Sequence, residues 1–371
     1  MELNDLQIEH AVEGIEWTRG MRSLSRREFN ERCVALSSLV TLSGALAFGG
    51  ATAAASTGTA RTVKFRDSTI VPAIGQGSAN IGKGRHPAAD EEEALRTGLL
   101  LGMTLIDTSG DYGGGRSEEL IKRVIAGQRD RAFVVSKVEA TEVTGDAMAR
   151  ACEASLARLG TDHLDLYLLH WPTPNAGFSK AVAGFESLRT AGKIRAWGVS
   201  NFTVPQMEDL LHIPQGDRCA TNQVLYNLGN RSIERDLLPW CERHGMPVMA
   251  YSPLGGPGAS LLRDPILGRI AAAHACSPAA VALAWIIRSG NVIVIPQSGS
   301  VAHVKENSVA LSLILTPEDI QTLEAAFPMS LKDKLRVLVD RTRLRAVVDP
   351  TRRWLRPLLE RLAITSQTER N

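Results

Sequence analysis

Four polar side chains of types that suit proton transfer stand at the ends of short apolar runs. Asp107 closes one run and Tyr112 follows it, Lys137 closes the next run, and His170 closes a third. A tyrosine hydroxyl has a reference pKa near ~10, and we expect the neighbouring Lys137 ammonium to lower it. Asp107 would hold Lys137 in place, and His170 would hydrogen-bond a carbonyl oxygen. The set suits carbonyl reduction, in which hydride adds to carbon while Tyr112 protonates oxygen.

Each of these side chains also has a structural explanation when it is taken alone. Asp107 would serve as a helix cap, Lys137 as a surface charge and His170 as a satisfied structural residue. The active site of a parallel barrel lies where its strands end. The three adjacent strand ends would bring the four side chains to one mouth, so the pattern favours a site.

The elements that would position these residues alternate regularly along the chain. Eight short, β-rich apolar runs cover residues 73–77, 103–107, 133–137, 164–170, 196–200, 220–224, 247–251 and 292–296. Helical patterns follow at 91–101, 117–126, 145–158, 178–191, 205–212, 233–243 and 263–288, with two more at 301–310 and 317–326. Eight strand–helix units over about 250 residues predict an α/β fold, the (β/α)8 TIM barrel, as a single domain with extra C-terminal helices.

The helix boundaries and the first strand bear on this prediction. Asp90 and Thr316 are predicted to be helix N-caps. A doubly wound sheet usually has a glycine-rich phosphate turn after its first strand. Here Gly75-Gln76-Gly77 is not continued into that motif, which favours the barrel.

Composition excludes several other classes of protein. The 371 residues are 44% hydrophobic and 22% charged, with a net charge of +2. These values are ordinary for a globular protein and argue against a disordered chain, a collagen, a coiled coil or a polytopic membrane protein. The small net charge does not suggest nucleic-acid binding. The five cysteines lack paired spacing, so no metal site is predicted.

Taken in order, the motifs between residues 63 and 328 resemble those of the aldo-keto reductase superfamily. They are Leu105-Ile106-Asp107-Thr108 with Tyr112-Gly113, Leu168-Leu169-His170-Trp171-Pro172, Gly198-Val199-Ser200-Asn201-Phe202, Asn222-Gln223, Tyr251-Ser252-Pro253-Leu254, and Ile295-Pro296 with Glu306-Asn307. The stretches at 220–226 and 236–241 are most similar to bacterial methylglyoxal and diketogulonate reductases. The resemblance implies an enzyme that uses a nicotinamide cofactor to reduce an aldehyde or ketone to an alcohol.

The resemblance also implies which residues bind that cofactor. Ser200, Asn201 and Gln223 would bind the nicotinamide carboxamide, and Tyr251 would stack on its ring. The pyrophosphate and adenosine contacts would come from Ser252, Leu254, Ser298, Glu306 and Asn307.

Two departures from the family pattern affect cofactor and substrate. Relatives that use NADPH commonly have a lysine and an arginine where this chain has Gln297 and His303. Because charged donors suit a phosphate, NADPH is the expected cofactor with NADH as an alternative. Trp171 and Phe202 are the candidate pocket walls in a site with fewer aromatic residues than usual, which predicts a wider and more polar pocket for a small-molecule carbonyl substrate.

The two ends of the chain differ from its middle. Residues 1–55 contain Ser25-Arg26-Arg27-Glu28-Phe29, an uncharged stretch and a small-residue site at 53–55, which predicts a twin-arginine-type signal peptide and a periplasmic protein. An uncleaved signal would instead tether the protein to the membrane. The predicted barrel covers 56–328. Residues 329–371 are predicted to be a basic amphipathic extension that packs on the barrel or contacts a membrane surface. The protein is expected to be a monomer.

Two other functions remain open from the sequence. A non-catalytic nucleotide-binding accessory module would share the fold, but the complete set Asp107, Tyr112, Lys137 and His170 favours an enzyme. A sugar isomerase or aldolase on a similar barrel would not explain the motifs at 198–202 and 251–254.

Overall fold

A computed structural model describes residues 60–143, 146–173, 177–256 and 260–329. The predicted signal peptide and nearly all of the predicted C-terminal extension lie outside these residues and stay predictions. Within them, no single helix is both long and apolar enough to cross a membrane. Two helical segments, Pro265–Ala273 and Pro278–Ser289, meet that criterion only as a pair bent by 92°.

Eight parallel strands form a sheet in sequential order that is nearly closed into a barrel. They are β3 (Gln76–Gly77), β4 (Leu105–Asp107), β5 (Phe133–Val138), β6 (Leu164–Leu169), β7 (Ile194–Ser200), β8 (Asn222–Leu225), β9 (Val248–Tyr251) and β10 (Val292–Val294). Isolated parallel bridges from Ile74 to Val294 and from Gly77 to Gln297 bring the first and last strands together. The predicted (β/α)8 fold is confirmed.

The seam between β3 and β10 requires a residue without a side chain. A Cβ at Gly77 would lie 2.7 Å from the carbonyl oxygen of Ile295. The backbone N–H of Gly77 donates to the carbonyl of Pro296 at 3.0 Å. Glycine is used where two backbones approach this closely. The seam in turn places Gln297 beside the residues that follow β3.

Ten α-helices surround or follow the strands within the described residues. They are α1 (Ala88–Leu100), α2 (Arg116–Ile125), α3 (Ala147–Leu159), α4 (Gly177–Thr190), α5 (Val204–Leu211), α6 (Leu237–Arg243), α7 (Pro265–Ala273), α8 (Pro278–Ile286), α9 (Val301–Val309) and α10 (Pro317–Ala326). Every residue of α8 after its first proline is buried. The barrel therefore places this helix wholly in the core.

Prolines explain where the helices differ from the predicted ones. Asp90 is not an N-cap, because α1 begins at Ala88 after Pro87 and leaves Asp90 in the first turn. An acidic side chain there still interacts favourably with the helix dipole. The predicted helix at 233–243 is divided because Pro239 has no N–H for an interior turn, so α6 begins only after Asp236. Thr316 is confirmed as an N-cap and accepts from the N–H of Asp319.

A hairpin that the sequence did not predict precedes the barrel. β1 (Thr62–Lys64) pairs antiparallel with β2 (Ile70–Pro72). Phe65 is buried and stacks on Phe133 with ring centroids 5.9 Å apart. Since Phe133 begins β5, the hairpin packs at the N-terminal end of the barrel, away from the strand ends where barrel enzymes carry out their chemistry.

Candidate active site

A buried ion pair lies at the C-terminal ends of β4 and β5. The Lys137 Nζ atom is 2.7 Å from one carboxylate oxygen of Asp107 and 3.1 Å from the hydroxyl oxygen of Tyr112. It also donates to the backbone carbonyl of Thr108 at 2.8 Å. The other Asp107 oxygen accepts from the Gln223 amide at 2.7 Å. Every polar atom of the pair thus has a partner, as buried charges require.

The pKa of Tyr112 differs from the sequence prediction. Burial raises this pKa, and although the Lys137 ammonium lowers it, the net result is a pKa above the ordinary tyrosine value. Burial by itself lowers the pKa of Lys137, but Asp107 and Tyr112 together raise it above its usual value. Lys137 acts in the predicted direction, yet the predicted fall in the Tyr112 pKa is wrong because desolvation outweighs one nearby charge.

The loop that carries Tyr112 is held by a second ion pair, which is partly buried. Arg158 on α3 donates to Glu118 on α2 at 2.6 Å, and Glu118 also accepts from the Ser136 hydroxyl at 2.7 Å. Gly115 has a φ of +89°, and a Cβ there would lie 2.5 Å from the Arg158 side chain. The glycine therefore lets the loop lie directly on Arg158, which fixes the approach of Tyr112 to Lys137.

His170 follows β6 and faces Tyr112 edge-on, with ring centroids 6.0 Å apart. Its Nδ1 atom contacts the carboxylate of Glu139, the residue after β5. The side-chain amide of Asn201 donates to the His170 carbonyl at 3.1 Å. Glu139 was not among the predicted site residues, because its approach to His170 depends on how the chain turns after β5.

Eleven of the predicted site residues line one cavity of about 380 Å3. They are Asp107, Tyr112, His170, Trp171, Ser200, Asn201, Gln223, Tyr251, Ser252, Leu254 and Gln297. Lys137 lies beneath it as a buried residue. Phe202 was predicted to be a pocket wall, and the structure corrects this: its ring is buried against Phe178 with centroids 4.9 Å apart. Phe202 supports the wall from behind rather than forming it.

Amide and hydroxyl groups form a network along one side of this cavity. The Ser200 hydroxyl donates to the Gln223 carbonyl at 2.8 Å, and the Tyr251 hydroxyl donates to Asn201 at 3.0 Å. Asn201 and Ser252 have φ values of +65° and +48°. Non-glycine residues in this region are strained by roughly 1–3 kcal/mol each and cluster at ligand sites. The Tyr251 ring, whose hydroxyl bonds to Asn201, lines the same cavity.

Comparison with known proteins agrees with this geometry. The family model described as "Aldo/keto reductase family" matches residues 73–327. The chain belongs to the aldo/keto reductase family. It is 44% identical to methylglyoxal reductase YeaE of Escherichia coli strain K12 over 72% of this chain and 95% of that one. The predicted enzyme class, an aldo-keto reductase, is confirmed.

Two similar solved structures are aldo/keto reductases from Klebsiella pneumoniae. One is in complex with NADP and acetate, and it is 42% identical with a TM-score of 0.70 over 74% of this chain and 97% of that chain. The other is in complex with NADPH and has the same identity and TM-score, covering 74% of this chain and 98% of the other.

The remaining predicted cofactor residues of this aldo/keto reductase lie on or just before α9. The Ser298 hydroxyl accepts a hydrogen bond from the backbone N–H of Ser300, in the same turn, at 3.0 Å. His303 and Glu306 are exposed on α9, and Asn307 is buried there. None of these four lines the cavity that holds Tyr112. The structure thus separates the predicted adenosine contacts from the predicted reaction centre.

Gln297 does line the cavity, but its side-chain oxygen is already engaged. It accepts from the backbone N–H of Asn80 at 2.8 Å and from the Asn80 amide at 3.2 Å. The same cavity is lined by Arg85, an exposed residue that sequence reasoning missed. Within the described ranges, Arg85 forms neither a hydrogen bond nor an ion pair. The single arginine among exposed loop residues 83–87 was the only available signal.

Proposed function

We propose that the protein is a carbonyl reductase that uses a nicotinamide nucleotide, preferably NADPH, to reduce an aldehyde or ketone to an alcohol. The observation that carries this proposal is the contact of Lys137 with both Asp107 and Tyr112 at the floor of the cavity. A structural ion pair would not need a tyrosine hydroxyl directed at it from a separate loop.

The proposed proton donor is Tyr112. Its pKa lies above the ordinary tyrosine value because of burial, so the phenol is protonated at neutral pH and holds the proton that a carbonyl oxygen would receive. The Lys137 ammonium, 3.1 Å from that hydroxyl, stabilises the phenolate that remains. A bound reduced nicotinamide nucleotide supplies the hydride. His170, edge-on to Tyr112, orients the substrate oxygen from the other side.

Several residues support a nucleotide beside this centre. Ser200, Asn201 and Gln223 present polar groups, and the Tyr251 ring offers a flat surface at the cavity wall. NADPH is preferred here because two similar reductases are known in complex with NADP and NADPH. NADH is the alternative, because Gln297 and His303 lack the permanent charge that a 2′-phosphate favours.

The proposed substrates are aldehydes and ketones that fit a cavity of about 380 Å3 lined by both polar and apolar groups. Ala79 and Asn80, which follow β3, and Trp171 are among the residues that line the cavity. A similar protein is named methylglyoxal reductase. The wider pocket expected from the few aromatic residues in the sequence favours carbonyl compounds larger than small dicarbonyls.

A panel of aldehydes and ketones tests this function. The purified residues 56–371 should consume NADPH in the presence of one or more carbonyl compounds and form the corresponding alcohol in equal amount. Both NADPH and NADH should be assayed. A panel that includes methylglyoxal and yields no alcohol with either nucleotide would contradict the proposal.

We propose also that the protein is exported by the twin-arginine route with its nucleotide already bound. The support is Arg26-Arg27 ahead of an uncharged segment, combined with a cofactor that is scarce outside the cytoplasm. Replacing both arginines with lysine should keep the precursor in the cytoplasm, whereas the unchanged protein should be recovered from the periplasm and begin near Ser56. Recovery of both proteins from the cytoplasm with residues 33–60 present would overturn this.

A further inference from the structure

Glu139 is the one carboxylate whose side chain contacts His170 in the described part of the chain. It follows β5 directly, and its side chain is about one-third exposed (32%) while that of His170 is 16% exposed. The backbone N–H of Glu139 donates to the Glu142 carboxylate at 3.3 Å, and the backbone N–H of Glu142 donates to the Glu139 carbonyl at 3.0 Å. The contact with Nδ1 is therefore made from a residue whose backbone is held in a tight turn.

The contact determines which nitrogen of His170 carries the proton. An ionised carboxylate can only accept hydrogen bonds, so Nδ1 must be the donor. A neutral imidazole has a single N–H, and with Nδ1 protonated the Nε2 atom is left as an acceptor. A carbonyl oxygen is also an acceptor, so the neutral ring cannot hydrogen-bond it through Nε2.

We infer, on the basis of the proposed function, that Glu139 is a positioning residue that makes carbonyl reduction depend on doubly protonated His170. The imidazolium donates from Nε2 to the substrate oxygen while Nδ1 stays on Glu139. The neutral ring instead accepts from an alcohol O–H, which suits the reverse oxidation. In reduction, hydride from the nucleotide goes to carbon, the Tyr112 proton goes to oxygen, and solvent reprotonates the phenolate. His170 keeps both of its protons.

The other titratable groups around His170 in the described residues do not contact its Nδ1 atom in place of Glu139. Tyr112 faces the ring from the loop after β4, and Lys137 lies below Tyr112 with its charge paired to Asp107. Glu142 bonds to the backbone of Glu139 rather than to the imidazole. Two uncharged groups complete the surroundings. Trp171 stacks on the ring at 6.0 Å, and Asn201 bonds to the backbone carbonyl.

The pH dependence of Glu139→Gln tests the inference. In the wild type, kcat/KM for reduction should fall about tenfold per pH unit once His170 loses its second proton. A glutamine can donate its amide to Nδ1, so a neutral ring can place its proton on Nε2. The variant should then retain most of its activity at a pH where the wild type has lost tenfold. Glu142→Gln is the matched control, because it changes charge on the same turn and keeps a capping oxygen.

A second measurement does not depend on turnover. Nitrogen-15 spectra of the histidine side chains, assigned with His170→Gln, should show the neutral Nδ1–H tautomer at His170 in the wild type and in Glu142→Gln. Glu139→Gln should shift the population toward Nε2–H. The inference is overturned if wild-type His170 is the Nε2–H tautomer, or if the pH profiles of the wild type and Glu139→Gln coincide. Failure of the carbonyl panel would contradict the proposed function but would leave the tautomer result intact.

Discussion

The two sides of the cavity are held by different kinds of contact. On the reacting side, formed by Asp107, Tyr112 and Lys137, the ion pair is almost fully buried and each charged atom has a partner. On the β10 side, formed by Gln297, Arg85 and the nearby α9, the residues are neutral or exposed. Buried charges that satisfy one another tolerate little change, whereas exposed groups act nearly independently. Substitutions on the reacting side should abolish function, and those on the β10 side should adjust it.

The largest effect is expected from Tyr112→Phe, which removes only the hydroxyl. Turnover of a carbonyl substrate should fall by about 10²–10⁴-fold, the usual contribution of a general acid. Nucleotide affinity, measured by quenching of tryptophan fluorescence, should stay within about twofold, because the ring still fills its place. A variant that kept most of the wild-type kcat would show that another group donates the proton.

A stability effect is expected next, from Asp107→Ala. This change leaves Lys137 buried without its counter-charge, which costs about 3–5 kcal/mol. The midpoint of urea unfolding should fall accordingly. Asp107→Asn keeps the shape of the side chain and one accepting oxygen, so it should lose less stability than Asp107→Ala. Adding Lys137→Met to Asp107→Ala removes the unpaired charge and should recover much of the lost stability. If the double variant is no more stable than Asp107→Ala, the unpaired charge is not the cause.

The contrast between the two sides also explains what the sequence could predict. Parallel strands buried on both faces give short continuous apolar runs, so the eight strands and the residues that close them were visible. The raised pKa of Tyr112 could not be predicted from the sequence, because the degree of burial of a side chain depends on the tertiary structure. The positions of Phe202 and Glu139 depend on how the chain turns after β7 and β5. The spacing of residues along the sequence does not indicate in which direction the chain turns after a strand.

On the β10 side, Gln297→Lys combined with His303→Arg should improve NADPH binding by about tenfold relative to NADH. Each new charge-assisted contact to the 2′-phosphate contributes about 1.5–3 kcal/mol before desolvation. The structure sharpens this expectation, because Gln297 accepts from the Asn80 backbone and a lysine cannot. His303→Arg alone should therefore raise NADPH affinity without disturbing that loop. Equal changes for both nucleotides would place the 2′-phosphate elsewhere.

The smallest effect is expected from Arg85→Gln. Arg85 lines the cavity and forms no ion pair in the described ranges. An exposed charge contributes about 0.5–1 kcal/mol to the binding of a phosphate. Removing it should therefore weaken the binding of the nucleotide by about two- to fivefold. Lys83→Gln is the matched control, because Lys83 is exposed on the same loop and does not line the cavity. Fluorescence titration at low salt should show the loss for Arg85→Gln alone.

The same titration locates the phosphate that Arg85 contacts. A loss for NADPH but not for NADH would assign Arg85 to the 2′-phosphate, where it would offset the missing charge at Gln297. An equal loss for both nucleotides would assign it to the pyrophosphate, which the two share. Raising the salt concentration should reduce either loss, since an exposed charge is screened over about 8–10 Å at physiological ionic strength. An unchanged affinity for both nucleotides would remove Arg85 from the proposed nucleotide site.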